Sequence, residues 1–330
     1  MSDLIVTDTH LGIYADSEVW HSVLIDLFNE ISDYCIKNNI KRIFHLGDFF
    51  HNRKSLNTRS QEITHQIADI LSDFEVYIVV GNHDTYFKNK IKPNTLKIFR
   101  KYKNIKIIEE NTLIDNIEFV PWGNLPSNMS EAEYCFGHFS INGFIMNESN
   151  TECTKGIDVS NFKSYKKVLS GHFHAPSRKD NIIYLGAPYQ HTFNDVNGVR
   201  GYYTFNNGEL EFIEYKKYPH FLRVDDKEVV KMSKKEIEGN IVELKFLEDY
   251  GTTKNEKILN YVNERNPLKL NTDFSKVKFI DDEQLDLSVS IINHKEIVKK
   301  CIEKMVFPQE IKKDVLYNVI ISIIKNIKEE

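Results

Sequence analysis

The chain has 330 residues, of which 41% are hydrophobic and 28% charged, and its formal net charge is −5. This composition is typical of a soluble globular protein of about two domains, and the length is sufficient to bury a core without disulfides or structural metals. The overall charge does not by itself indicate nucleic-acid binding.

Four cysteines lie far apart in the sequence and form no Cys-x-x-Cys pair. Their placement argues against a disulfide framework or a zinc ribbon and favours a reducing compartment. The first residues lack the basic segment and apolar core of a signal peptide, and no apolar run approaches the roughly 20 residues that span a bilayer. We therefore expect a soluble cytoplasmic protein, in the host cytoplasm if the chain is viral, without membrane contact.

The first two thirds of the chain alternate short β-rich runs with helical patterns. The predicted elements are strands at 4–6, 42–46 and 76–80 and helices at 18–38, 58–72 and 93–102. From 105 to 215 the runs are shorter and mostly β. An alternation of strands and helices that gives way to strands alone predicts a layered α/β sandwich.

The pattern changes after Pro219. The region 220–292 is mixed, with a strand-like run at 241–246 and a helical run at 254–264. Two helices follow from His294 onward, broken by Pro308, and the last has apolar residues at every fourth position. We predict a main domain at 1–218, a small domain at 219–292 and terminal helices at 293–330.

Five segments share one arrangement: an apolar strand, a glycine or tight turn, and then residues that can hold a metal. They are 6–10, 46–48, 80–84, 136–138 and 170–174. Because ligands collect beyond the carboxyl ends of strands in α/β sheets, these loops are expected to converge. Mixed imidazole and carboxylate ligands suit Mn, Fe or Zn better than Mg or Ca, which favour oxygen throughout.

Taken together and in this order, the motifs resemble the signature of the calcineurin-like metallophosphoesterases. The motifs are Asp8-x-His10, Gly47-Asp48, Gly81-Asn82-His83-Asp84, Gly137-His138 and Gly171-His172-x-His174. Within that superfamily the chain resembles the SbcD-type double-strand-break repair nucleases, and among them the bacteriophage recombination endonuclease subunit, over roughly residues 1 to 215. The segments 47–53 and 184–188 add to this likeness.

The resemblance implies a fold, a metal centre and roles for particular residues. The fold would be an α/β/β/α sandwich followed by a small α+β capping domain and terminal helices. The centre would hold two divalent metal ions, with Mn²⁺ expected and Mg²⁺ as the alternative. The implied ligands are Asp8, His10 and His174 for one metal, Asn82, His138 and His172 for the other, and Asp48 as the bridge.

Two further histidines receive catalytic roles from the same resemblance. His83 would contact the scissile phosphate and assist departure of the 3′ oxygen, and His51 would support the phosphate or His83. Asp84 is expected to orient an imidazole. Outside the motifs, His191 is a weaker candidate for substrate contact, whereas Trp20 and Trp122 are interpreted as packing residues.

The resemblance also implies a substrate and a partner. The chain would cleave DNA as an exonuclease and endonuclease in recombination and repair, and its terminal helices at 293–330 would dock on an SbcC-type coiled-coil ATPase. A homodimer stays open. The run 86–106 holds eight Lys or Arg and no acid, which could orient a polyanion, although a solvated surface explains it equally well.

Other substrates compete with this prediction, because several enzyme classes share such a centre. Phosphoprotein phosphatases carry an Asp-Arg pair soon after Gly-Asp and a Glu after Gly-Asn-His, and neither is present here. The alternative is a phosphodiesterase or nucleotidase for small substrates, which would not need the last 115 or so residues. A scaffold with a degenerate site is disfavoured because every ligand position of the motifs is retained.

Overall fold

The computed structural model describes residues 2–146, 151–196, 198–248 and 250–275. The chain divides into two compact units, 1–277 and 278–330, and every described residue lies in the first. The terminal helices predicted at 293–330, and the end of the predicted small domain at 276–292, lie outside the described residues. Among the residues that are described, no helix is both long and apolar enough to cross a membrane.

The elements follow one another in this chain order. The first half contains β1 (Asp3–Val6), α1 (Ile13–Asp16), α2 (Glu18–Lys37), β2 (Arg42–His45), α3 (Thr58–Ile70), β3 (Glu75–Val79), β4 (Thr85–Phe87), β5 (Lys90–Asn94), β6 (Ile105–Ile108), β7 (Thr112–Ile114), β8 (Ile117–Val120) and β9 (Tyr134–His138). The second half contains β10 (Lys167–Gly171), β11 (Ser177–Lys179), β12 (Ile182–Tyr184), β13 (Gly201–Asn206), β14 (Glu209–Glu214), β15 (Phe221–Asp225), α4 (Asp226–Val229), α5 (Lys234–Ile237), β16 (Ile241–Lys245), α6 (Thr252–Asn263) and β17 (Lys269–Asp273). Three 3₁₀ helices lie at Thr95–Lys101, Val159–Phe162 and Phe193–Asp195.

Two six-stranded sheets form the body of the protein. The first has the order β14-β13-β1-β2-β3-β6, and the second has the order β11-β12-β10-β9-β8-β7. In each sheet the four strands that carry or flank the motifs run parallel, namely β1, β2, β3 and β6 in one and β12, β10, β9 and β8 in the other. The carboxyl ends of these strands therefore meet at one edge of each sheet.

The period of two along each strand divides the apolar residues between two layers. On β2, Ile43 points to the core shared with helices α2 and α3, whereas Phe44 points to the core between the sheets. The outer face of the second sheet is covered mainly by residues 139–146 and 151–165, which include the 3₁₀ helix Val159–Phe162. The result is the mixed α/β sandwich that the sequence predicts.

A smaller sheet follows the two large ones. Its strands β15, β16 and β17 are all parallel, and with α4 to α6 they enclose a separate apolar core that includes Val242, Leu244 and Val262. The amino-terminal residues of two of its strands, Phe221 and Ile241, instead pack into the main core. The small sheet is thus anchored to the larger body at one end of its strands.

The prediction of a helix at 93–102 is wrong for its first two residues. Residues 85–94 form the β4–β5 hairpin, in which Thr85 pairs with Asn94, and only Thr95–Lys101 coil, as a 3₁₀ helix. The backbone N–H of Thr95 donates to the carbonyl of Asp84. These tertiary bonds tie the chain back to the loop after β3, and they outweigh the helical pattern in the local sequence.

Candidate metal centre

The seven predicted ligands lie together where the parallel strands of both sheets end. Asp8 and His10 follow β1, Asp48 follows β2 and Asn82 follows β3, whereas His138 ends β9 and His172 and His174 follow β10. The loop after β1 lies side by side with the loop after β2. The backbone N–H of Asp8 donates to the carbonyl of Gly47 and that of His10 to the carbonyl of Asp48, each at 3.0 Å. The site therefore lies at the seam between the two sheets.

One group of ligand atoms surrounds His10. Its Nε2 lies 3.1 Å from His174 Nε2, 3.7 Å from an Asp48 oxygen and 4.0 Å from an Asp8 oxygen. The carboxylate of Asp8 is held in place by the hydroxyl of Thr7, which donates to it at 2.7 Å, and by the backbone N–H of His172. Atoms of Asp8, His10 and Asp48 lie within 4.8 Å of one another.

A second group surrounds His138. Its Nε2 lies 2.9 Å from Asn82 Oδ1 and 3.4 Å from an Asp48 oxygen. Its Nδ1 donates to the carbonyl of Leu46 at 2.8 Å, which fixes the tautomer and leaves the Nε2 lone pair toward the other two residues. Ligand atoms of Asp48, His138 and His172 lie within 4.8 Å of one another. Asp48 belongs to both groups, as a bridging ligand must.

His83 and His51 lie beside the first group. The His83 and His10 rings are 4.8 Å apart, and the His83 and His51 rings stack at 5.5 Å. His83 Nδ1 donates to the carbonyl of His51 at 2.8 Å, so its Nε2 carries the free lone pair. The His83 backbone N–H donates to Asp48 Oδ1 at 2.6 Å. The structure thus brings both predicted catalytic histidines to the edge of the cluster.

The donor set fits divalent cations. Burial lowers the pKa of His10 well below its usual range, with His174 adding to the effect, and burial lowers the pKa of His172 to about 3. Burial opposes the charged form of Asp48, but the imidazole of His138 holds the pKa of that carboxyl below its usual range. Neutral His10 and His172 beside an ionised Asp48 are the protonation states that metal binding requires. Burial opposes the charged form of His138, but the carboxylates of Asp48 and Asp8 raise its pKa to about 9, so a bound cation would have to displace its proton.

The expected role of Asp84 is wrong. In the described part of the chain its carboxylate forms no hydrogen bond with an imidazole and instead accepts three backbone N–H groups, from Asp48 at 3.0 Å, Gly81 at 2.9 Å and Phe50 at 3.1 Å. Burial raises its pKa to about 7, against the effect of the backbone hydrogen bonds. Asp84 therefore fastens the loops after β2 and β3 to each other, and it acts on the ligands through the backbone.

Four ligand residues have left-handed backbone conformations that non-glycine residues rarely adopt. They are Asp8 at φ 53°, His10 at 46°, Asp48 at 54° and His172 at 92°. Such conformations cost of order 1–3 kcal/mol each and persist where the surrounding structure enforces them, most often at functional sites. Their concentration at one edge supports the assignment of this edge as the functional site.

The loop that follows β12 has more contacts with the metal centre than its sequence indicates. His191 is buried, and its Nδ1 lies 3.1 Å from His174 Nδ1. Asp195 Oδ2 accepts the backbone N–H of His191 at 2.9 Å, and the buried Arg200 binds both Asp195 and the carbonyl of His174. The position of His191 soon after Pro188 was a usable signal, whereas nothing in the sequence indicates a buried pairing of Arg200 with Asp195.

Trp122, which the sequence suggests is a packing residue, lies next to two of the candidate metal ligands. Its ring is 4.9 Å from the ring of His172 and 6.0 Å from that of His138. Its indole N–H donates to the carbonyl of Lys88 at 3.2 Å, and its backbone N–H donates to the carbonyl of Val80. Trp122 thus forms one wall beside the second group of ligands.

The amino-acid sequence of this chain is similar to those of known proteins. The profile of the calcineurin-like phosphoesterase family matches residues 1–289. Exonuclease subunit 1 of Enterobacteria phage T4 is 33% identical over 230 residues, which cover 65% of this chain and 67% of that protein.

Similar solved structures include nuclease MPE from Pseudomonas putida, which is 13% identical with a TM-score of 0.34 over 61% of this chain and 83% of that one. A dimetal phosphatase from Danio rerio is 12% identical with a TM-score of 0.36 over 62% of this chain and 91% of that one.

The family profile spans most of the chain, and the residues that carry its motifs converge in one cluster of carboxylates and imidazoles. This chain therefore belongs to the calcineurin-like phosphoesterase family and is a hydrolytic phosphodiesterase.

Proposed function

We propose that the chain is a metal-dependent DNA nuclease of recombination and repair, with exonuclease and endonuclease activity. The observation that carries the proposal is the coincidence of the clustered ligand set with 33% identity to an exonuclease subunit across two thirds of that protein. Relatives of the same family hydrolyse other esters, so the family alone leaves the substrate open. The identity to exonuclease subunit 1 favours DNA.

The ligands divide into two sets with one shared member. Asp8, His10 and His174 would hold one divalent cation, Asn82, His138 and His172 would hold the other, and Asp48 would contribute to both. Mixed nitrogen and oxygen ligands favour Mn²⁺, with Mg²⁺ as the alternative. When bound, such a pair lowers the pKa of water and neutralises charge on the phosphate.

The remaining work belongs to side chains of the chain itself. His83 presents its Nε2 to the phosphate, because its Nδ1 proton is committed to the carbonyl of His51. In the protonated state it would donate to the departing 3′ oxygen, and positioned acids of this kind typically contribute about 10²–10⁴ in rate. His51 supports this geometry through its carbonyl and through its ring, which stacks on that of His83.

The partners are proposed from the same relationship. DNA would approach along the basic run 86–106, part of which forms the β4–β5 hairpin directly after His83 and Asp84. An SbcC-type coiled-coil ATPase would dock on the terminal helices at 293–330, and a homodimer is compatible with this assembly. The site of action would be the cytoplasm, or the host cytoplasm for a viral chain.

The decisive experiment is a nuclease assay on end-labelled linear duplex and single-stranded DNA. Mn²⁺ and Mg²⁺ are compared, each with and without the ATPase subunit, and EDTA serves as the blank. We expect Mn²⁺-dependent shortening of DNA, stronger on duplex when the ATPase and ATP are present. His83→Ala purified in parallel controls for contaminating nucleases. Hydrolysis of a chromogenic phosphodiester without any cleavage of DNA would point to a small-substrate enzyme and overturn the proposal.

A further inference from the structure

A cleft next to the loop that carries His191 is lined mainly by aromatic and aliphatic side chains. It encloses about 460 Å³ and lies between the start of α2, the loop at 191–195 and the small sheet β15–β17. Four aromatic rings line it, from Tyr14, Trp20, Phe193 and Phe221. Among the described residues, the lining contains one cation, Lys269, and no carboxylate.

Three of these rings contact one another in a near-parallel cluster, in which Trp20 and Phe221 lie 6.2 Å apart at 20°. Tyr14 and Trp20 lie 5.5 Å apart with an interplanar angle of 21°, and Tyr14 and Phe221 lie 6.4 Å apart at 28°. Trp20 and Phe221 are 3% and 2% exposed, whereas Tyr14 is 44% exposed. Tyr14 is therefore the accessible member of this otherwise buried aromatic cluster.

The backbone of Tyr14 is held in an unusual conformation. Tyr14, Ala15 and Asp16 have φ values of 55°, 54° and 62°, a left-handed run that L residues avoid. The run is fastened at both ends, because the Tyr14 hydroxyl donates to the carbonyl of His191 at 2.5 Å and Ser60 donates to Asp16. These two hydrogen bonds hold the exposed Tyr14 ring in one position, and they compensate for the unfavourable left-handed backbone conformation.

The bond from Tyr14 also joins the cleft to the metal centre. The residue that accepts it, His191, contacts the candidate ligand His174, with 3.1 Å between their Nδ1 atoms. A single residue thus separates the exposed ring from the cluster. Lys269 and Asn271 of β17 also line the cleft, and their polar groups suit a phosphate and the polar edge of a heterocycle.

We propose that this cleft binds an unpaired nucleobase of the DNA substrate, stacked on Tyr14, while the neighbouring phosphate lies at the metal centre. The inference rests on the proposed nuclease function and specifies how its substrate is held. Aromatic platforms bind bases with little sequence preference, because every base offers a flat π face. A base inside a duplex cannot enter such a cleft, so the enzyme would act on frayed or single-stranded ends.

The test measures binding in EDTA, so that nothing is cleaved. The full chain is titrated against single-stranded oligonucleotides that carry 2-aminopurine at one of the first four positions from either end. Matched oligonucleotides carry an abasic residue at the same position. Stacking quenches 2-aminopurine, so the position that enters the cleft is identified by quenching on binding. The same positions are then examined with Tyr14→Ala, which removes the ring, and Tyr14→Phe, which keeps it.

We expect Tyr14→Ala to abolish the quenching and to weaken binding of the intact strand roughly ten-fold, the scale of one stacked base. The abasic strand should bind both proteins alike. Tyr14→Phe should resemble the wild type. Leu268→Glu adds a carboxylate to the cleft at a residue that is 42% exposed, and it should weaken the intact strand without unfolding the protein. Ile36→Glu, at a 63% exposed position of α2 outside the cleft, is the matched control.

Two results would overturn the inference. One is the absence of a quenched position in the wild type, and the other is an equal drop in affinity for intact and abasic strands in Tyr14→Ala. Deoxynucleoside monophosphates form a further arm: if they bind in a Tyr14-dependent manner while no oligonucleotide does, the cleft serves a free nucleotide and the inference fails. A wild type that cuts DNA but fails these tests keeps the proposed function, whereas one that cuts no DNA loses it.

Discussion

Asp48 is the residue on which both halves of the candidate centre depend. One of its oxygens lies 3.7 Å from His10 Nε2 and 3.4 Å from His138 Nε2, and the other accepts the backbone N–H of His83. A carboxylate that is shared between two cations in this way contributes its charge to both. The side chain of His83, by contrast, belongs to neither proposed ligand set.

This difference leads to a paired prediction. Asp48→Asn removes the shared charge, so we expect hydrolysis to fall by at least about 10³ and metal content to drop below that of the wild type. His83→Ala should lose a factor of about 10²–10⁴ in rate while keeping the full metal content. Elemental analysis of the purified proteins, with the chromogenic assay beside it, checks both. A His83→Ala protein with fewer metals than the wild type would make His83 a ligand.

His191 is a second residue whose role follows from its contacts. If His174 binds a cation through Nε2, its Nδ1 carries a proton and donates to His191 Nδ1. The tautomer and orientation of a ligand are then set by a neighbour that is itself buried and held by Asp195. Partners of this kind typically contribute about 10–100-fold to metal affinity.

We therefore expect His191→Phe to bind Mn²⁺ about 10–100-fold more weakly than the wild type, with the fold retained. Competition against a fluorescent chelator at fixed pH measures the affinity directly and does not depend on turnover. His220→Phe changes a partly buried histidine that lies outside the centre and serves as the control. Equal affinities for His191→Phe and the wild type would reduce His191 to a packing residue.

The candidate ligands were predictable because each follows an apolar run and a turn in the sequence itself. Asp84 shows where such reasoning stops. Its position beside His83 suggested an imidazole partner, but its three acceptor bonds go to backbone groups, two of them in a loop that is remote in sequence. Backbone donors leave no trace in residue identity, so only the folded arrangement reveals these bonds.

At the scale of elements, the loops after β2 and β3 approach each other closely. A Cβ on Gly81 would lie 2.2 Å from the backbone nitrogen of Asp48 and 2.3 Å from its Oδ1. Asp84 then joins both loops through its carboxylate. The glycine is therefore required by the proximity of a neighbouring backbone, and its own φ is not left-handed.

From this close approach we expect Gly81→Ala to separate the two loops, to lower thermal stability and to reduce metal content. Small-to-large changes in tightly packed sites typically cost about 1–3 kcal/mol in the free energy of unfolding. Gly123→Ala adds the same methyl group where nothing lies within 4 Å, and only its φ of +82° opposes the change. Thermal denaturation with metal analysis compares the two. A Gly81→Ala protein as stable and as metal-rich as Gly123→Ala would refute the close-approach argument.

Most long elements were predicted within a few residues of their observed bounds. Helix α2 and the strands of the first sheet have strong periodic patterns and apolar faces that suit their burial. Strand β4 and the edge strands β7, β11, β15 and β17 were missed, because they lack the continuous apolar run that marks equally short central strands such as β1 and β2. Their pairing is set by neighbours in the sheet, so it cannot be deduced from the local sequence.

At the scale of the whole molecule, two pairs of basic residues on different elements allow the path of the DNA to be tested. Lys97 and Arg100 lie in the 3₁₀ helix Thr95–Lys101 that follows the β4–β5 hairpin, and Arg100 is exposed. Lys37 and Lys41, also exposed, lie before the start of β2, at the end of the sheet opposite the metal centre. The two pairs carry equal charge on different elements of the fold.

DNA binding should therefore be weak and strongly dependent on salt, and it should be sensitive to the first pair. Lys97→Glu with Arg100→Glu reverses both charges. We expect this change to flatten the slope of log affinity against log salt concentration by about one for each phosphate contact that is lost. Reversal at Lys37 and Lys41 changes the net charge equally and should leave the slope unchanged. Fluorescence anisotropy between about 50 and 200 mM salt measures both. Equal slopes in the two variants would place the DNA elsewhere.

The location of the centre at the seam between the two sheets also has a consequence for biosynthesis. Asp8, His10, Asp48 and Asn82 emerge from the ribosome well before His138, His172 and His174. The 92 residues from Asn82 to His174 (174 − 82) take roughly 5–20 s at ordinary rates of elongation. When Asn82 has been synthesised, the nascent chain carries four of the seven proposed ligands, and the remaining three end or follow strands of the second sheet. We therefore expect phosphodiester hydrolysis to begin only after the second sheet has folded against the first, so that an incomplete polypeptide is inactive.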